Sequence, residues 1–186
     1  MKFISVLFVI LIAALVYAVP IYNRLIKNKS LVDEGWSGIE TQLKRRSNLI
    51  PNLVETVKGY ATHEREALEA VTSLRNQTMS ISDIGERGQK EGELTAALGR
   101  LFAVAEVYPD LKTNENFISL QSDWSETEDQ IQLARRYYNG TVRDMNILVV
   151  SFPSNIVANN FNFSKAKFFE IDNKADRAVP KVTFNS

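Results

Sequence analysis

The chain has 186 residues, 45% of them hydrophobic and 24% charged, which suits one packed domain with an appendage and argues against global disorder. Its 22 Lys and Arg balance 22 Asp and Glu, so it lacks the basic footprint of a nucleic-acid binder. No cysteine is present, which excludes disulfides, thiolate nucleophiles and cysteine-based zinc sites.

The first segment, "FISVLFVILIAALVYAVPIYN" at residues 3–23, carries no charge. As a helix it reaches about 31 Å, one hydrocarbon thickness. This predicts an N-terminal transmembrane helix over residues 1–23. The competing reading is a cleaved signal peptide, with Lys2 as its n-region and Val16-Tyr17-Ala18 as its processing site. Arg24, Lys27 and Lys29 follow the run, whereas Lys2 and the terminal amine precede it. The positive-inside tendency then puts the short N-terminus outside a cytoplasmic membrane and the remainder inside.

Residues 24–153 read as a bundle of long helices. Stepping by three and four gives Val32, Trp36, Ile39, Leu43, Arg46, Ile50, Leu53, Val57, Tyr60, Glu64, Ala67, Val71 and Leu74 on one seam. The phase passes through Pro51, which predicts one long helix kinked there with the Ser47 carbonyl left without its partner. Alternatively a new helix starts at Asn48, with Pro51 in its first turn. Residues 79–92, "MSISDIGERGQKEG", read as a glycine-marked loop, followed by a helix over about 93–108 with Leu94, Leu98, Leu101, Ala105 and Tyr108 on its seam. "YPDLKTN" is a tight reversal. The last long helix carries Phe117, Leu120, Trp124, Thr127, Ile131, Ala134, Tyr138, Thr141, Met145, Leu148 and Phe152 at a 3.5-residue period, and Phe152-Pro153 stops it. The expected fold is therefore all-α: an antiparallel bundle of three to four helices plus the N-terminal span. Trp36, Pro51, Trp124 and Tyr138 fall in its core.

Residues 154–186 form a Phe-rich tail without helical period. Phe161, Phe163, Phe168 and Phe169 need burial, either as a lid on the bundle or as contacts with another subunit or partner.

Chemistry is sparse. His63 is the only histidine, so neither a zinc-protease motif nor a di-metal Glu-x-x-His bundle can form. Glu126, Glu128 and Asp129 read as a solvated face, and no phosphate-binding loop occurs. No catalytic, cofactor-binding or metal residue is expected. Arg46 and Glu64 are polar positions on an apolar seam. About 27 Å apart along one helix, they need separate partners, with Glu106 or the seam threonines as candidates. They read as register pins, with snorkelling of Arg46 beside Lys44 and Arg45 as the alternative.

The anchor followed by "YNRLIKNKSLVDEGWSGIETQLKRRSNLIPNLVETVKGYATHE", "RLFAVAEVYPDLKTNENFISLQ", "ARRYYNGTVRDMN", "FP" and "FFE" resembles the LemA family over nearly the whole chain. Trp36, Gln42, Lys44, Arg45, Arg46, Pro51 and Tyr108-Pro109 match the family pattern, and Asp33-Glu34-Gly35 departs from its alanine-rich form. The resemblance implies a single-span bacterial membrane protein with an all-α bundle and a short external N-terminus. It brings no catalytic residues. Some relatives are associated with shaping internal membranes in magnetosome-forming bacteria, and others are encoded beside a membrane metalloprotease linked to envelope stress.

Two readings follow. The first is a non-enzymatic, membrane-anchored scaffold that forms homo-oligomers and organises or shapes the bilayer. The second is an adaptor or sensor for a membrane protein partner such as that protease. An enzyme would need a pocket with convergent polar groups, and the seams read as filled core.

Overall fold

A computed structural model describes residues 2–61 and 63–171, leaving aside the side chains of Lys2, Val6, Ile10, Leu11, Ala13 and Ala14. It contains α1 (Lys2–Tyr60), α2 (Arg65–Ser80), α3 (Ile84–Val104), α4 (Pro109–Lys112), α5 (Glu115–Val150) and α6 (Ser154–Asn160). Among the described residues there is no strand, and the all-α bundle of long helices is as expected.

The boundaries differ from the expectation in three places. α1 passes through Pro51 unbroken and ends at Tyr60, so the seam does not continue as one helix to Leu74. Tyr60 is half exposed and Glu64 lies ahead of α2, while Ala67, Val71 and Leu74 beyond the break still face the core. Second, residues 84–92 are helical. Asp83 caps α3 by accepting from the Gly85 and Glu86 amides, so the glycines lie inside a helix rather than in a loop. Third, the tail begins with α6, whose inward side buries Ser154, Val157 and Ala158.

Among the described residues no helix is long and apolar enough to cross a membrane. The separate transmembrane helix expected over residues 1–23 is instead the opening of α1, which runs on through Arg24. Val6, Ile10, Leu11, Ala13 and Ala14 interrupt the described side chains of that stretch. At the other end, residues 172–186, including Pro180 and Phe184 of the expected tail, lie outside the described residues.

Two compact units are present. Met1–Thr41 with Gln132–Phe168 form one, and Gln42–Ile131 with Phe169–Ser186 form the other. In the first, Leu25, Ile39, Tyr138, Val142 and Ala158 are buried, and the Trp36 and Tyr138 rings meet at 5.6 Å. A Cβ on Gly35 would lie 3.1 Å from the Tyr138 Cα, so the small residue lets the two helices approach closely there. The Tyr138 hydroxyl donates to the Lys167 carbonyl at 2.8 Å, and Asn146 holds Ala166 through both its amide and its carbonyl (3.0 and 2.8 Å). These bonds seat the extended segment after α6.

In the second unit, Ile50, Leu53 and Val57 of α1 pack with Leu68 and Val71 of α2, Leu94, Leu98 and Leu101 of α3, and Phe117 of α5. α2 packs on α3 across the short 81–83 connection, an antiparallel pair. Phe102 stacks at 4.8 Å on Trp124 and at 5.6 Å on Phe117. Asn114 caps α5 by accepting from the Phe117 amide at 3.0 Å.

Candidate functional site

The chemistry of the second unit converges on Arg46. Its position on the α1 seam drives the side chain inward, and it is fully buried. The guanidinium donates to the Glu91 carboxylate, to Glu128 at 2.5 Å and to the Thr95 hydroxyl at 2.6 Å. One cation thus ties α1 to α3 and α5. Arg87, one turn before Glu91, brings a second cation to within 3.9 Å of the Glu91 carboxylate. Two cations and two carboxylates leave the cluster neutral, the arrangement that makes a buried charge tolerable.

Burial pushes the Glu91 pKa above its ordinary value. Attraction to Arg46, the hydrogen bond from Arg46 and attraction to Arg87 oppose that rise, and the Glu128 charge adds to it. Neither Glu106 nor a seam threonine partners Arg46. Glu106 pairs with Lys112 at 2.6 Å, and the buried Thr127 hydroxyl donates to the Asp123 carbonyl of its own helix. Glu128 is likewise not part of a solvated face, although Glu126 on the exposed side does pair with the half-exposed Arg45.

Glu91 carries a signal that boundary placement hid. Continuing the seam of Leu94, Leu98 and Leu101 back by three reaches it, but the neighbouring glycines argued that the helix began later. Those glycines are used in packing. A Cβ on Gly88 would collide with the Glu170 carbonyl and one on Gly92 with the Ile171 carbonyl, so α3 presents a bare groove to the extended chain. Phe169, at the start of that segment, is fully buried.

The remaining predicted residues are dispersed. Glu64 accepts from the Tyr108 hydroxyl at 3.2 Å, far from any role as a partner of Arg46. Pro51 is exposed, and the Ser47 carbonyl accepts from Arg75 Nε at 2.9 Å. Trp124 packs on Phe102. His63 is exposed in the turn between α1 and α2. Phe161 and Phe163 sit 4.8 and 5.9 Å from the Tyr22 ring, while Phe168 is partly exposed. Among the described residues no group of three or more His, Cys, Asp or Glu could hold a metal ion.

A different kind of surface occupies the start of α1. Phe3, Ile4, Leu7, Phe8, Val9 and Ile12 are 45–93% exposed, and Leu15, Val16, Tyr17 and Val19 are also exposed. Positions 7, 8 and 9 point in three directions around a helix, so this is not the single stripe of an amphipathic element.

Fold and site together define an all-helical bundle protein with a neutral, buried ion cluster around Arg46 and exposed apolar side chains at the start of α1. The chain belongs to the LemA family, whose sequence profile matches residues 35–184. It is 27% identical to Protein LemA of Metamycoplasma hominis, over 91% of this chain and 78% of that protein. It is also 29% identical to Magnetosome protein MamQ 2 of Paramagnetospirillum magneticum, over 80% of this chain and 64% of the relative. With Magnetosome protein MamQ of Magnetospirillum gryphiswaldense the identity is 25%, over 72% and 58%. The match thus spans less than two thirds of the length of either MamQ protein.

Proposed function

We propose that the protein is a membrane-anchored helical scaffold without enzymatic activity, which self-associates and organises or shapes the bilayer. The exposed apolar start of α1 carries this reading. Ten or so large apolar side chains in water would cost on the order of 15 kcal/mol in unburied surface, and a lipid environment removes that penalty. In the sequence, counting Val6, Ile10, Leu11, Ala13 and Ala14, whose side chains are outside those described, the uncharged run from Phe3 to Asn23 has the length a single pass needs. Arg24, Lys27 and Lys29 after the run favour a cytoplasmic side for the packed residues. α1 passes from the apolar run to the buried Leu25 without a break, so tilting of packed neighbours would be transmitted into the lipid.

Self-association is supported by Leu133, Tyr137, Ile147 and Val150 on α5, which stay about half exposed among the described residues. Full-length protein reconstituted into liposomes is expected to resist alkaline extraction and to form large assemblies or deformed vesicles by electron microscopy. Extraction of the protein, or uniform monomers on unaltered vesicles, would overturn the reading.

An adaptor for a membrane protein partner is favoured by one other feature. An open groove of about 730 Å³ runs between α1 and α2, with Val54, Ala61 and Leu68 among its apolar lining and Lys58 and Arg65 among its polar lining. Photocrosslinkers at Lys58 and Arg65 are expected, on this reading, to trap one discrete heteromeric complex and little homo-oligomer.

A further inference from the structure

We infer that the turn after α6 is a second lipid contact, which rests on the anchor reading above and adds a headgroup-level site selective for anionic phospholipid. The Tyr22 ring, in the last uncharged turn before Arg24, is met by Phe161 at 4.8 Å and Phe163 at 5.9 Å. These contacts hold the α6 turn at the level along α1 where the apolar run gives way to cations. Aromatic rings with one wet edge are the residues that occupy such a boundary.

Apolar surface stays exposed around α6: Phe152 before it, Ile156 within it and Phe161 in the turn after it are all more than half exposed. Charge supplies the second argument. Residues 20–33 and 152–168 together carry Arg24, Lys27, Lys29, Lys165 and Lys167 against Asp33 alone, in a chain whose charges balance overall. Lys29 and Lys165 line one small pocket together with Asp33, Asn162 and Ser164, so the two basic stretches are brought together. Asn162 adopts a left-handed backbone, φ 57°, which turns the chain from Phe161 toward Lys165. An apolar tip beside a local excess of cations fits a surface of lipid phosphates.

The cysteine-free chain allows a direct test in the full-length protein. A fluorophore on Phe161→Cys, with Ile156→Cys as a second reporter, is compared with one on Leu15→Cys in vesicles carrying nitroxide quenchers at headgroup or acyl depth. The expected result is deep quenching at position 15 and shallow quenching at 161 and 156. The shallow signal should rise about twofold when phosphatidylglycerol is added and fall back in Lys165→Glu/Lys167→Glu. Deep quenching at 15 with none at 161 or 156 would overturn this inference and leave the anchor standing. Shallow quenching indifferent to phosphatidylglycerol and to the charge reversal would overturn it as well. Absence of quenching at all three positions would overturn the anchor reading itself.

Discussion

Arg75 donates from Nε to the Ser47 carbonyl at 2.9 Å, the carbonyl to which residue 51 would donate in a regular helix. Pro51 has no N–H to offer. A side chain from α2 therefore completes the hydrogen bonding of α1 at its proline, which explains how the helix passes through that residue intact.

Replacing Arg75 with methionine should cost about 1–2 kcal/mol, the net worth of a charged hydrogen bond with partial exposure. In a Pro51→Ala background the backbone supplies the missing donor, so the same replacement should cost less than half as much. A double-mutant cycle from urea denaturation measures the coupling. Equal costs in both backgrounds would show that Arg75 acts elsewhere.

Arg46→Leu should destabilise the protein by about 3–5 kcal/mol, because it leaves Glu91 charged and without its principal partner in a buried setting. A residue that only pinned register would loosen helix alignment more than stability; the burial of Glu91 adds the larger cost. Replacing Arg46, Glu91 and Glu128 together with apolar residues should recover most of the loss. Urea midpoints of the single and triple variants distinguish a neutral cluster from independent pairs.

Glu91 gives a pH signature of fixed sign. Its folded pKa lies above the ordinary 4.5, so between those two values the native chain holds more protons than the unfolded chain. Stability from this group therefore falls as pH rises through that window. The difference in unfolding free energy between wild type and Glu91→Gln should shrink or grow negative as pH is raised from about 4.5. A difference that increases with pH would mean that the ion pairs, not burial, dominate.

Gly88→Ala or Gly92→Ala should destabilise by about 1–3 kcal/mol, since the new methyl meets a backbone carbonyl of the 169–171 segment. Proteolysis near that segment should quicken in step. Gly99→Ala on the same helix meets nothing within 4 Å and should stabilise by about 0.5–1 kcal/mol through helix propensity. Thermal melts of the three variants provide the comparison.

Much of the fold was legible because its seams are strongly periodic. On α5, Phe117, Ile131, Tyr138, Met145 and Leu148 are all buried as the 3.5-residue step requires, and on α1 the phase holds from Val32 to Val57. It fails at Phe152 and Tyr60, where helix ends release the chain from the period. Arg46 was visible because a charge on an apolar seam must be satisfied. Its partners were not, because Glu91 lies among glycines that imitate a loop and Glu128 among acids that imitate a wet face. The glycines themselves were misread for a physical reason. Their low helix propensity is a local term, and contact with a chain segment some eighty residues later outweighs it.

Vectorial synthesis gives that groove on α3 a temporal meaning. Helices two and three can pair soon after leaving the ribosome, but the bare strip at Gly88 and Gly92 stays wet until residues 169–171 emerge. Closing it thus waits for a segment made some eighty residues later, and a chain stalled before Phe169 would carry an open seam.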